Sequence, residues 1–173
     1  MKKLFIMVGA PGSGKSTFLK NNEKNFNPSH IIISRDEVRF SLLKEGEAYF
    51  SKENEVYKEF IKQIKMGLKN FEEVYVDATH LNKASRMKLF YALGDAIRNV
   101  ELYAIVIKVP LEQAIAQNQK RYGTKTFVPE EALRNMYKNF TLPALNEGFK
   151  EIWIYISQGI GKPYHFQAIK KFN

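Results

Sequence analysis

A glycine-rich motif follows directly on a short apolar run near the N-terminus of this chain. The run is Leu4-Phe5-Ile6-Met7-Val8, and the motif is Gly9-Ala10-Pro11-Gly12-Ser13-Gly14-Lys15-Ser16-Thr17, called the phosphate loop below. The pattern G-x-x-x-x-G-K-S/T between a buried strand and a helix is typical of a loop that wraps the phosphates of a nucleoside triphosphate. Its glycines lack a Cβ, so successive backbone N–H groups can turn towards those phosphates. The motif therefore predicts an α/β fold with this loop at one edge of a sheet.

Two side chains of the phosphate loop have distinct predicted roles. We expect Lys15 to reach the β- and γ-phosphates and Ser16 to ligate Mg²⁺. The helix predicted from Lys15 to about Asn22 adds the positive end of its dipole to the attraction for anions. ATP, or another nucleoside triphosphate, and Mg²⁺ are the predicted cofactors, and all nine residues from Gly9 to Thr17 form the predicted nucleotide-binding segment.

Length, cysteine content and charge narrow the class of protein. The chain has 173 residues, which suits a single domain with one substantial core. It contains no cysteine, which excludes disulfide frameworks and thiolate metal sites. No segment has the length of a signal-peptide core or a membrane span, so we expect a cytoplasmic protein without a membrane partner. The formal net charge of +9 favours polyanionic partners, and nine basic and four acidic residues within positions 117–173 contribute more than half of it.

Apolar runs alternate with amphipathic stretches along the chain, as in a parallel sheet with helices on both faces. The five predicted strands are Lys3–Val8, Ile31–Ile33, Glu73–Val76, Leu102–Ile107 and Ile152–Ile156. The longest predicted helix covers Lys52–Asn70, where apolar side chains recur every fourth position from Val56 to Leu68. We predict one phosphate-loop domain over residues 1–157 and an irregular tail over residues 158–173.

A basic loop between two predicted helices indicates a lid over the nucleotide, at about residues 117–138. The first helix covers Leu111–Arg121, and Pro129 followed by two acidic residues favours the start of the second. Within this lid, Arg121 is the candidate cation that closes onto the β- and γ-phosphates and neutralises charge on the transferred group. Lys120 and Lys125 are near enough in sequence to assist it. The alternative is a solvated basic loop.

The residues after the second predicted strand carry a candidate acid–base group. Ser34-Arg35-Asp36-Glu37-Val38-Arg39 follows that strand, and the carboxyl ends of strands in such sheets face the ligand crevice. Asp36 would lie at a helix start beside the nucleotide, with Arg39 one turn further on the same face. A kinase for a hydroxyl group needs a base for the acceptor O–H and a cation for a neighbouring phosphate. The alternative is a surface ion pair between positions i and i+3.

The residues after the third predicted strand extend this candidate site. The segment is Asp77-Ala78-Thr79-His80-Leu81-Asn82. An aspartate that emerges from a buried strand is expected to be linked to the Mg²⁺ ion, and Thr79 could donate to an acceptor phosphate. The alternative for Asp77 is a turn cap, and no function is assigned to His80.

Taken in order, these motifs resemble the kinase domain of the bacteriophage-type polynucleotide 5′-hydroxyl kinases and the wider set of P-loop kinases. The similar segments are Met1–Thr17, Ser34–Arg39, Asp77–Asn82, Lys120–Lys125, Val128-Pro129 and Leu133–Lys138. The resemblance covers about residues 1–155 and implies a P-loop kinase fold with a helical lid. It also implies that Asp36 is the general base, that Arg39 binds the phosphate 3′ to the reacting hydroxyl, and that Thr79 contacts the acceptor. His80 stands where the family usually has asparagine.

The function implied by the resemblance is transfer of the γ-phosphate of ATP to 5′-hydroxyl ends of DNA or RNA, in nucleic-acid repair in a bacterium or a phage-infected host. Lys15, Asp36 and Arg121 would then be the catalytic residues. Two alternatives stay open. A kinase for a small metabolite or nucleoside would use the same donor site and needs no basic surface. A nucleic-acid binder regulated by a nucleoside triphosphate would bind ATP without transferring phosphate, although Asp36 and Arg121 count against it.

Overall fold

The computed structural model describes residues 1–172, which contain six strands and six α-helices. In chain order they are β1 (Lys2–Val8), α1 (Lys15–Asn22), β2 (His30–Ser34), α2 (Arg35–Leu42), α3 (Glu53–Asn70), β3 (Glu73–Asp77), α4 (Lys83–Leu93), β4 (Val100–Lys108), α5 (Leu111–Gln119), α6 (Glu130–Lys138), β5 (Glu151–Ile156) and β6 (His165–Lys170). Within this described part, no helix combines the length and the apolar character needed to span a membrane. The predicted α/β fold is confirmed.

The strands form a single sheet in the order β2-β3-β1-β4-β5-β6. The chain leaves β1 for the far edge at β2, returns through β3 beside β1, and then crosses to β4 on the other side of β1. This reversal places the carboxyl ends of β1, β3 and β4 next to one another. Ligands of doubly wound α/β sheets bind at such a switch point, and the phosphate loop begins there.

Both faces of the sheet are covered, which explains why its central strands are continuous apolar runs. On one face, alternate residues of β1, β3, β4 and β5 pack against α3 and α4, with Phe60 and Ile64 among the buried contacts. On the other face, α1 packs through Leu19 against a layer rich in aromatic rings. In that layer Phe5 stacks on Tyr75, with the ring centroids 4.5 Å apart. The two layers fix the position of β1 and of the loop that follows it.

The sheet has one strand more than the five that the sequence predicts. All five predicted strands are present and parallel, but β6 is a sixth strand that runs antiparallel to β5 within the predicted irregular tail. Every residue of β6 is exposed, so the strand depends on backbone pairing with β5 and not on burial. It therefore lacks the apolar run that identifies a buried strand in a sequence.

Candidate active site

The phosphate loop has the backbone geometry that anion binding requires. Gly12 and Gly14 have φ angles of 78° and 94°, in the left-handed region that favours glycine. Gly14 is the N-cap of α1, and no side chain caps that helix end. The first N–H groups of α1 therefore have no partner within the helix and are available to phosphate oxygens.

Close packing under the loop explains its first glycine. A Cβ on Gly9 would lie 2.8 Å from Ser13 Oγ and 2.9 Å from the carbonyl oxygen of Ile107, too close for any side chain. Ser13 Oγ is itself buried without a hydrogen-bond partner among the described residues. Burying an unpaired hydroxyl is costly, and a bound phosphate oxygen would satisfy it. The loop thus fits a polyphosphate in both its backbone and its side chains.

Ser16 and Asp77, both predicted to be linked to the metal ion, lie together. Ser16 Oγ donates a 2.6 Å hydrogen bond to Asp77 Oδ2, and Asp77 is the buried last residue of β3. Hydroxyl and carboxylate oxygens are the ligands that Mg²⁺ prefers, together with substrate phosphates and water. The pair therefore fits Mg²⁺, which when bound would neutralise charge on the phosphates.

Lys15 is buried at the centre of the predicted catalytic groups. Its Nζ donates a 2.9 Å hydrogen bond to the carbonyl oxygen of Ala10. Burial lowers the pKa of Lys15 to about 8, and the nearby charges of Asp77, Arg121 and Asp36 also act on this pKa. The charges of these three side chains therefore lie close enough to Lys15 to affect its pKa. An anionic phosphate beside Lys15 would favour the charged form of the lysine.

Asp36 lies in the first turn of α2, and only one of its two carboxylate oxygens is hydrogen-bonded to described residues. Ser34 is the N-cap of that helix, and its side chain accepts from the backbone N–H of Glu37. Asp36 Oδ1 accepts hydrogen bonds from Arg39 Nη1 and from the Tyr49 hydroxyl. No described protein group binds its Oδ2, and the side chain is 44% exposed. One oxygen is thus fixed and the other is open to a ligand.

Arg39 is not the solvated surface partner that the alternative interpretation required. Its residue exposure is only 4%, and its Nε donates a 2.8 Å bond to Glu53 Oε1 on α3. Its Nη1 also donates to the Tyr49 hydroxyl at 2.7 Å, and the guanidinium lies over the Tyr49 ring at 4.1 Å. Nη2 forms no hydrogen bond with the described residues. Arg39 therefore orients Asp36 through Nη1, and its Nη2 stays free to bind an anion.

The loop that carries Thr79 is attached directly to the strand before the phosphate loop and to the loop itself. The carbonyl oxygen of Thr79 accepts from the backbone N–H of Gly9 at 3.0 Å. His80, at a φ angle of 45°, is buried, and its Nδ1 lies 3.1 Å from the carbonyl oxygen of Met7. A carbonyl only accepts, so Nδ1 carries the proton. Burial lowers the pKa of His80 to about 4, and the ring is neutral near pH 7.

A buried ion pair that sequence reasoning missed supports the same loop. Arg86 on α4 and Glu147 have side-chain exposures of 0% and 1%, and Arg86 Nε donates to Glu147 Oε1 at 2.9 Å. Arg86 Nη1 also donates to the carbonyl oxygen of His80 at 2.9 Å. The partners are 61 positions apart, and no local pattern indicates that they meet.

The predicted lid joins α5 to α6 and contacts both sides of the cleft. The side-chain amide of Asn118 donates to the carbonyl oxygen of Val128 at 2.6 Å and accepts from its N–H at 3.1 Å, which closes the loop that carries Arg121. Asn118 also packs beneath Gly12 of the phosphate loop. At the far side, Lys125 Nζ lies 5.6 Å from the centre of the Phe40 ring on α2. The guanidinium of Arg121 has no ion-pair partner among the described residues.

The sixth strand brings one further residue to the phosphate loop. The Tyr164 hydroxyl, just before β6, lies 3.7 Å from the position that a Cβ on Gly14 would occupy. Its ring also packs edge-on against those of Phe18 and Tyr155. The sequence gives no signal for this contact because the tail carries no motif.

A strand, phosphate loop and helix, with carboxylates at the ends of neighbouring strands and a basic lid, define a nucleotide-binding protein of the P-loop kinase class. A family model described as "AAA domain" matches residues 4–143. The chain belongs to that family.

Two viral relatives carry the comparison further. The chain is 29% identical over 152 residues to a protein of Autographa californica nuclear polyhedrosis virus named as a bifunctional polynucleotide kinase/RNA ligase, with 80% of this chain and 21% of that protein covered. It is 29% identical over 155 residues to a protein of Acanthamoeba polyphaga mimivirus named as a bifunctional polynucleotide phosphatase/kinase, with 87% and 32% covered. The chain thus spans a third or less of the length of these relatives.

A solved structure titled "Structure of the Pnkp1/Rnl/Hen1 RNA repair complex" has the same fold. It matches with a TM-score of 0.64 at 26% identity over 92% of this chain and 53% of that chain. The predicted resemblance to the kinase domains of polynucleotide kinases is confirmed by these relatives. The chain therefore has the domain fold of the P-loop kinases.

Proposed function

We propose that this protein is an ATP-dependent polynucleotide kinase that transfers the γ-phosphate of ATP to 5′-hydroxyl ends of DNA or RNA. The observation that carries the proposal is the arrangement of Asp36, whose Oδ1 is held by Arg39 and Tyr49 while its Oδ2 stays open beside the cleft of Lys15. A fixed carboxylate with one free oxygen suits proton abstraction from a hydroxyl. Similarity to viral and RNA-repair kinases supports a polynucleotide as the acceptor.

In the proposed reaction, Asp36 Oδ2 takes the proton of the 5′-hydroxyl while the hydroxyl oxygen forms a bond to the γ-phosphorus. The bond between that phosphorus and the β–γ bridging oxygen breaks, and ADP leaves with its electron pair. Lys15 and Arg121 stabilise the charge on the transferred group. Arg39 binds the phosphate 3′ to the reacting hydroxyl through its free Nη2, and Thr79 contacts the acceptor.

Two groups of the donor site hold the nucleotide in this scheme. The N–H groups at the start of α1 and the orphaned Ser13 hydroxyl bind the polyphosphate. Ser16 and Asp77 would hold Mg²⁺, which would neutralise negative charge on the phosphates. The surplus of basic residues, with a net charge of +9, favours a polyanionic acceptor over a neutral metabolite.

The test is transfer of labelled γ-phosphate to three acceptors: 5′-hydroxyl DNA, 5′-hydroxyl RNA and free nucleosides. We expect labelled oligonucleotide. The KM for the oligonucleotide should rise steeply with salt, because added salt reduces the free energy gained when counterions are released from the nucleic acid. Labelled nucleoside alone, with a KM insensitive to salt, would contradict the proposal and favour a metabolite kinase. ATP binding without transfer to any acceptor would contradict it in favour of a nucleotide-regulated binder.

A further inference from the structure

An exposed aromatic ring lies beside the open carboxylate of Asp36. Phe50, in the loop between α2 and α3, is 69% exposed. Its ring packs edge-on against that of Tyr49, with the centroids 4.6 Å apart, and Arg39 Cζ lies 5.9 Å from its centre. A phenylalanine exposed to this degree contributes little to the core. Its ring instead lies against Tyr49 and Arg39, the two side chains that hold Asp36 Oδ1.

One side chain separates Phe50 from the proposed base. The Tyr49 hydroxyl donates to Asp36 Oδ1, and its ring contacts Phe50. When the 5′-hydroxyl of an acceptor lies at Asp36 Oδ2, the base of the same nucleotide lies about the length of one sugar away from Asp36. Phe50 contacts Tyr49 and lies near Arg39, both of which donate to Asp36 Oδ1, so its exposed ring is available to that nucleobase.

The charges around Phe50 identify the kind of ligand. Arg39 keeps Nη2 free, and the lid brings Lys125 over the neighbouring Phe40 ring at 5.6 Å. The acidic Glu47 of the same loop is paired with Lys52 at 3.2 Å, so its charge is compensated. Exposed aromatic rings among cationic side chains are typical of sites that stack nucleobases along a phosphate backbone.

We propose that Phe50 is the stacking surface for the nucleobase at the 5′ end of the acceptor strand. This inference rests on the proposed polynucleotide kinase function, since it names the part of the acceptor that the loop between α2 and α3 recognises. Stacking tolerates all bases because each has a π face, so Phe50 confers affinity for a nucleotide end without selecting its sequence.

The test compares Phe50→Ala with wild type on two oligonucleotides, identical except that the 5′ residue of one lacks its base. For the complete oligonucleotide we expect the KM to rise by about 5- to 150-fold, as loss of one base stack requires, with a smaller effect on kcat. For the oligonucleotide without the 5′ base, the KM of the variant should equal that of wild type. Phe50→Trp should restore or lower the KM for the complete oligonucleotide.

The matched control is Tyr91→Ala, which removes a 90% exposed ring from α4 away from the cleft. It should leave both KM values unchanged. An equal effect of Phe50→Ala on the KM for the two oligonucleotides, or no effect on either, would overturn the inference. A Phe50→Ala variant that changes its oligomeric state without changing either KM would overturn it as well. Failure of wild type to phosphorylate either oligonucleotide would instead contradict the proposed function, which keeps the two failures distinct.

Discussion

The two halves of the cleft are built in different ways. The proposed donor half is one continuous segment, the phosphate loop and the start of α1, whose uncapped backbone N–H groups suit phosphate oxygens. The proposed acceptor half is assembled from side chains on separate elements: Asp36 and Arg39 on α2, Tyr49 in the following loop, and Glu53 on α3. A local motif therefore fixes the donor half, whereas the acceptor half depends on tertiary contacts and is where specificity can vary.

The largest expected effect comes from breaking the buried ion pair between Arg86 and Glu147, which supports the loop that carries Thr79 and His80. Glu147→Ala leaves the Arg86 charge buried without its partner, and we expect the free energy of unfolding to fall by about 3–5 kcal/mol. Urea denaturation checks this value. At temperatures where the variant stays folded, the KM for the acceptor should rise more than the dissociation constant for ATP, because Arg86 also holds the carbonyl of His80.

Glu130→Ala is the matched control for that ion pair. Glu130 pairs with Arg134 one turn further along α6, and both side chains are nearly half exposed. Its loss should cost only about 0.3–0.5 kcal/mol. Equal effects of the two substitutions on unfolding would contradict the role given to the buried pair.

The next effect concerns His80 and the pH dependence of stability. The unfolded pKa of a histidine is about 6.5, and burial lowers the pKa of His80 to about 4 in the folded protein. The contribution of His80 to stability is therefore complete above pH 6.5 and is lost as the pH falls towards 4, by about 1.4 kcal/mol per pH unit at most. Thermal unfolding across this range measures the loss.

His80→Asn provides the comparison, since asparagine tolerates a positive φ angle but does not titrate. The difference in unfolding free energy between wild type and this variant should shrink or reverse between pH 6.5 and pH 4. Parallel pH curves for the two proteins would show that folding does not lower the pKa of His80, contrary to its burial at 6% exposure.

A smaller effect is expected from the hydroxyl that holds Asp36. Tyr49→Phe removes one of the two donors that hold Asp36 Oδ1. Because Arg39 still donates to the same oxygen, we expect kcat to fall only several-fold while the dissociation constant for ATP stays at the wild-type value. Steady-state kinetics with a 5′-hydroxyl oligonucleotide and a separate measurement of ATP binding check this.

Tyr57→Phe is the matched control for this change. It removes a buried hydroxyl on α3 that has no hydrogen-bond partner among the described residues. It should leave kcat at the wild-type value. An unchanged kcat in Tyr49→Phe, or a loss of ATP binding equal to the loss of kcat, would contradict the positioning role of the Tyr49 hydroxyl.

The phosphate loop could be located from the sequence because a local motif determines it, although the contact of Tyr164 with Gly14 could not. The sequence also placed Asp36, Arg39 and Asp77 at the carboxyl ends of parallel strands, where the structure has them, since such ends converge at one edge of the sheet. Their roles stay predictions. Nothing in the sequence indicated Tyr49, whose position depends on how the loop after α2 folds back. Arg86 was missed for a related reason. A charged residue on an amphipathic helix is expected to face solvent, and only the approach of a partner 61 positions away permits its burial.

In the proposed reaction, Asp36 is the general base for the acceptor hydroxyl and has no part in binding the nucleotide. The most direct test is to measure kcat and the dissociation constant for ATP in Asp36→Asn, with Asp95→Asn as control because Asp95 is 87% exposed in a distant turn. We predict that kcat falls by about 100-fold or more in Asp36→Asn while ATP binding is retained, and that the control matches wild type. Turnover close to wild type in Asp36→Asn, or loss of ATP binding equal to the loss of turnover, would contradict the account.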